Sequence, residues 1–209
     1  MSLVRNALLV GTSILMCSEV WANDVSLFEI QRDTNWTTAG FGGMRGVGTG
    51  TLTLAGIDGP VTQALLYWAG PTNSNVPTAN ANVAFSGTPV VGHNIGFTAD
   101  NNWGFQNSQA YRADVTSLVS GNGSYSLSGF TKPDAEINGA SLVVFFNGTA
   151  PKRDVALFNG NDSNQINPHD SSGWTTTLAG INYTSGSASL VLNVSDGQNS
   201  DRWMTANYA

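Results

Sequence analysis

Gly139-Ala140-Ser141-Leu142-Val143-Val144-Phe145-Phe146-Asn147-Gly148 is the stretch whose reading decides the fold. Its core is a short run of β-favouring, apolar side chains, and it stops at an Asn-Gly pair suited to a tight turn. Apolar residues on both sides of a strand predict a central strand covered on both faces, or a strand at a subunit contact. Ala64-Leu65-Leu66-Tyr67-Trp68 reads the same way. Around these two runs lie segments that alternate. Leu52 and Leu54 alternate with threonines, and Tyr125 and Leu127 with serines. Ser187–Ser195 places Ala188, Leu190, Leu192 and Val194 on one side. A period of two predicts strands with one buried face, so a strand is expected at 187–195 as well.

Turn signals separate these runs. Asp58-Gly59-Pro60, Ser86-Gly87, Gly121-Asn122-Gly123, Asn138-Gly139, Asn147-Gly148, Asn159-Gly160 and Asp196-Gly197 supply residues that tolerate positive φ. The punctuation predicts an all-β chain: an antiparallel, jelly-roll-like β-sandwich of about ten short strands. One helical turn is expected near 114–119, capped by Asp114 or Thr116. No stretch suggests a linker, so 23–209 reads as a single domain.

Residues 1–22, MSLVRNALLVGTSILMCSEVWA, have the layout of a secretory signal peptide: Arg5, an apolar stretch, and small residues at the expected cleavage site. Removal after Ala22 would discard Cys17, the one cysteine, leaving a domain held by its core alone. A secreted, extracellular or cell-surface location follows as the expectation, with the periplasm as a variant. No second stretch approaches membrane-spanning length. Charged residues make up 11% of the chain and the net charge is −6. Lys132 and Lys152 are the only lysines. Nucleic acid is therefore not an expected partner, because phosphate calls for a basic patch. The hydrophobic content of 41% and six tryptophans argue for a packed core rather than disorder.

Three ordered segments carry a resemblance. They are Ala64–Gly70 (ALLYWAG), Tyr111–Val119 (YRADVTSLV) with Gly123–Leu127 (GSYSL), and Gly139–Phe146 (GASLVVFF) running into Arg153–Gly160 (RDVALFNG). Together they resemble a family of exported bacterial and archaeal surface β-sandwich domains with no assigned activity. The likeness covers roughly residues 45–201 and includes Asp196-Gly197-Gln198. The Asp-Val-Thr turn before a strand is also similar to jelly-roll domains of the galactose-binding type. What the resemblance implies is a secreted β-sandwich and no family catalytic residues. Asn159-Gly160 departs from the family's acidic residue before glycine.

The candidate chemistry is thin. After the leader there are two histidines, His93 and His169, and two glutamates, Glu29 and Glu136. No carboxylate pair stands out for glycoside hydrolysis. No Gly-x-Ser-x-Gly elbow is present, and His169-Asp170-Ser171 reads as a polar loop rather than a triad. A non-enzyme is expected. Gly92–Asn107, read as one long loop, mixes aromatics with amides and an acid. Trp103, Phe105, Asp100, Asn101 and Asn102 are its candidate ligand-binding residues, for glycans or other surface proteins. Asp162, Asn161 and Asp170, with Asp196 and Asp201, offer the oxygens that calcium takes, though without EF-hand spacing. The expectation is a structural or adhesive surface domain, with a carbohydrate-binding module, calcium-assisted or not, as the alternative.

Overall fold

The computed structural model describes residues 25–98, 104–132, 136–137, 139–162, 176–182 and 184–194. The expected signal peptide lies outside them. Ten strands and one 3-10 turn follow in order: β1 (Ser26–Phe41), β2 (Gly50–Leu54), β3 (Val61–Thr72), β4 (Asn82–Phe85), β5 (Thr88–Val91), β6 (His93–Thr98), β7 (Asn107–Asp114), the turn Thr116–Leu118, β8 (Gly123–Ser128), β9 (Gly139–Phe146) and β10 (Arg153–Asn159). All pairings are antiparallel.

The pairings are nested. β4 pairs β5, β3 pairs β7, β2 pairs β8 and β1 pairs β9. The chain is thus one long hairpin rolled up, which distributes its strands alternately between two sheets. The sheet orders are β10-β1-β9-β3-β7-β6 and β2-β8-β4-β5. This is the jelly-roll arrangement, with β6 added as a hairpin on β7 and β10 added on β1.

The alternating segments supply the inner faces. Leu52, Leu54, Val83, Phe85, Tyr125 and Leu127 meet Leu66, Trp68, Tyr111, Leu142, Val144 and Phe146 in one buried cluster. Phe85 stacks on Tyr125 with ring centroids 5.4 Å apart, and Trp68 stacks on Tyr111 at 5.6 Å. Each aromatic pair adds about 1 kcal/mol beyond its area burial.

β9 is buried at every position, as its sequence predicts. Its second cover is a two-stranded ribbon. β1 bends at Asp33, whose φ is +49°, and its first half leaves β9 to pair with β10. Glu29 and Gln31 reach Gln63, the Phe28 ring lies 3.5 Å from the Arg112 guanidinium carbon, and Asn159 lies 3.5 Å from the Tyr67 hydroxyl. Gln63, Tyr67 and Arg112 alternate with the core residues of β3 and β7, so they project from the outer face. The ribbon therefore lies across that face and shields Phe145 and Val143, which are 0% and 4% exposed.

The Asp-Val-Thr landmark works through hydrogen bonds rather than as a helix cap. Asp114 Oδ1 accepts from the Thr116 N–H and hydroxyl, and Thr116 Oγ1 accepts from the Ala64 N–H at 2.9 Å. With the Val115 N–H on Ala64 O, this ties the end of β7 to β3.

Two expectations are corrected. Gly92–Asn107 is not one loop, because its first half is β6, paired to β7 across a bulge between Asn94 and Gly96. Ser187–Val194 contains no strand, and Leu190, Leu192 and Val194 are 65%, 49% and 56% exposed. The segment touches β1 through Thr38 Oγ1 and Asn193 Oδ1. Alternation gives a segment the capacity for a ladder, but a ladder also needs an open edge, and β1 already sits between β10 and β9. Among the described residues, no helix is long and apolar enough to cross a membrane.

Candidate functional site

Of the expected ligand-binding residues, Phe105 is described, at the end of the sandwich where Thr72 at the close of β3 pairs with Asn107 at the start of β7. Residues 73–81 cross here from one sheet to the other. Their path starts with side-chain turns: the Ser74 N–H donates to Thr72 Oγ1 and the Val76 N–H to Ser74 Oγ. It continues with backbone turns from Ala79 to Val76 and from Ala81 to Thr78.

Beneath this crossing sits a layer of buried amides. Gln109 is 0% exposed and Asn107 1%. Gln109 Nε2 donates to Ser74 O at 2.7 Å, and Asn107 Nδ2 donates to Ser74 O at 3.0 Å and to Asn75 Oδ1 at 3.1 Å. Gln109 Oε1 accepts from the Tyr111 hydroxyl at 2.5 Å and from Asn94 Nδ2 at 3.1 Å. Asn94 Nδ2 also reaches Pro77 O at 3.1 Å. Further in, the Asn80 N–H donates to Tyr111 Oη, and Trp68 Nε1 donates to Asn80 O. Burial pushes the Tyr111 hydroxyl above its ordinary pKa, which keeps it a neutral donor. Three backbone carbonyls of the crossing, at Ser74, Pro77 and Asn80, are thus held from below.

Rigidity below leaves chemistry above. Asn73, Asn75, Val76, Thr78 and Gln106 are exposed, and Phe105 is half-buried beside them in sequence at the entry to β7. Asn73 Oδ1 accepts from the Gln106 N–H at 3.1 Å, joining the crossing to the segment that leads into β7. The surface is rich in amides, each able to donate and accept at once.

Phe105 and the 73–81 crossing come together at this end. Asp100, Asn101, Asn102 and Trp103 lie outside the described residues. Asn161 is buried and donates its amide to Ser108 O at 2.9 Å, tying the chain after β10 to β7. Asp162 follows it with both carboxylate oxygens shielded from solvent. Asp170, Asp196 and Asp201 lie outside the described residues. Among the described residues, no group of three or more His, Cys, Asp or Glu side chains could hold a metal. His93 is exposed.

Sequence reasoning missed Asn94, Asn107 and Gln109. A signal was present: Asn107, Gln109 and Tyr111 occupy alternate positions of one strand, so polar groups continue its buried side. Compared with protein-family models, curated proteins and solved structures, the chain matches none.

Proposed function

We propose that the chain is an exported, non-enzymatic jelly-roll domain with a structural and adhesive role, and that recognition takes place at the amide-rich end. The observation that carries this reading is the buried layer of Asn94, Asn107, Gln109 and Tyr111 under residues 73–80. Polar groups that are costly to bury are placed where they hold a surface loop still. Carbohydrate is the ligand class that suits the exposed amides, with Phe105 as an apolar neighbour. The resemblance read from the ordered motifs, to exported surface β-sandwich domains, points the same way, as does the leader-like residue pattern at 1–22. A glycan array on the 23–209 chain, run with and without EDTA, tests the reading. Binding of a defined glycan that is lost in Asn75→Ala supports it; an array without hits removes it.

A second reading is favoured by the exposed run Leu190-Val191-Leu192. Exposed apolar side chains in a strand-capable segment mark a contact surface, and the role would then be self-association alone. Light scattering separates the two. Concentration-dependent oligomers that Leu190→Asp and Leu192→Asp disperse, with no glycan bound, support the second.

A further inference from the structure

At the opposite end of the sandwich, Asn35 and Val61 both pair with Phe146 at the close of β9. Residues 147–152 then lead into β10. A cleft of about 300 Å³ opens here, at the small end of the range for ligand sites. Trp36, Phe146 and Pro151 line it with apolar surface, Thr34 and Asn35 with polar groups, and Arg153 with a positive charge.

The cleft is held in shape from within. Asn35 is 7% exposed, and its amide donates to Ala150 O at 3.0 Å and accepts from the Gly148 N–H at 2.9 Å. One side chain thus fixes both ends of the 148–150 segment. Thr34 is buried and donates to Asn35 O.

Two ion pairs flank the cleft, and two charges beside it, on Asp58 and Arg153, have no opposite charge within salt-bridge distance among the described residues. Arg32 meets Asp154 at 2.8 Å, and Lys152 meets Asp33 at 3.8 Å. Asp58 is engaged by the N–H and hydroxyl of Thr149. Arg153 has no carboxylate within salt-bridge distance among the described residues. An uncompensated guanidinium is notable in a chain of net charge −6. Its planar fork matches a carboxylate in a bidentate pair, which a lysine does not reproduce.

We infer that this cleft is a binding site for a carboxylate-bearing sugar unit of the uronic-acid class. The ring lies against the apolar wall of Trp36 and Pro151, and its carboxylate pairs with Arg153. The site is separate from the amide-rich end and differs from it in chemistry, since it selects an anion rather than neutral hydroxyls.

Calorimetric titration of the 23–209 chain with glucuronate, an oligouronate and a neutral oligosaccharide of equal length provides the test. The expected result is saturable binding of both acids, weakened by salt, and none of the neutral sugar at this site. Arg153→Gln is expected to lower acid affinity at least about tenfold, which corresponds to about 1.4 kcal/mol. Arg153→Lys should retain part of it. Asn75→Ala, at the other end, should leave it unchanged, so the two sites fail independently. Binding of the oligouronate but not of the monomer places the ligand in a polymer. Absence of saturable acid binding at millimolar ligand, or unchanged affinity in Arg153→Gln, overturns the inference.

Discussion

Replacing Gln109 with leucine tests whether the buried amides hold the loop end together. Leucine keeps much of the volume and removes both polar atoms. Four hydrogen bonds are lost: to Ser74 O, to Asn107 Oδ1, from Tyr111 Oη and from Asn94 Nδ2. Two of these partners have a second contact, because Ser74 O keeps Asn107 Nδ2 and Asn94 Nδ2 keeps Pro77 O. The Tyr111 hydroxyl proton has no second acceptor. The hydroxyl oxygen retains an incoming bond from the Asn80 N–H, inside a residue that is 0% exposed. A neutral hydrogen bond is worth about 1 kcal/mol net, and an orphaned buried donor costs about 1–3 kcal/mol. The expected loss is about 3 kcal/mol, or a fall in Tm of roughly 6–12 °C for a domain of this size. Urea unfolding measures it. In a Tyr111→Phe background the same substitution should cost about 1 kcal/mol less, because no hydroxyl is left to orphan. A single-mutant loss under about 0.5 kcal/mol, or additivity within about 0.5 kcal/mol, would refute the reasoning.

Further expectations concern groups elsewhere in the fold. Burial raises the pKa of Tyr67 beneath the ribbon and of Tyr111 between the sheets above 10.0. Unfolding lets both ionise at the ordinary value, so their contribution to stability is level below pH 10 and falls as pH rises beyond it. A 295 nm titration should show these two phenolates forming late; simultaneous ionisation of all five tyrosines would contradict it. The Asn80 side chain is buried, and neither of its amide atoms has a hydrogen-bond partner among the described residues. Asn80→Leu should therefore raise stability by about 1 kcal/mol, and a loss of that size would disprove the assignment. A Cβ at Gly70 would lie 2.1 Å from Glu136 O, against backbone that cannot swing aside. Gly70→Ala should cost about 1–3 kcal/mol in chemical unfolding, and wild-type stability would count against so close a passage.

Local pattern alone was enough to place four of the ten strands, β2, β3, β8 and β9. Thr51–Leu54 and Ser124–Ser128 alternate in sequence and alternate in burial, because side-chain direction in a strand depends only on position along the chain. Gly139–Phe146 is apolar throughout and buried throughout. Sandwich class and the Asp114–Thr116 turn were legible for the same reason: each is encoded within a few neighbouring residues.

What covers each face, and which segments find a partner, depends on residues far apart in sequence. Tertiary structure decided that β1 bends at Asp33 and carries β10 across the outer face. It decided that His93–Thr98 joins a sheet. It also decided that Ser187–Val194, with the clearest alternation of all, joins no strand ladder among the described residues. The candidate sites follow the same division. Phe105 and its amide neighbours were visible as composition, whereas the support from Asn94 and Gln109 to residues 73–80 spans 17 and 35 positions. The cleft at Arg153 arises because Asn35 binds residues more than a hundred positions away. Periodicity reports which way a side chain points; only the packed chain settles what it meets.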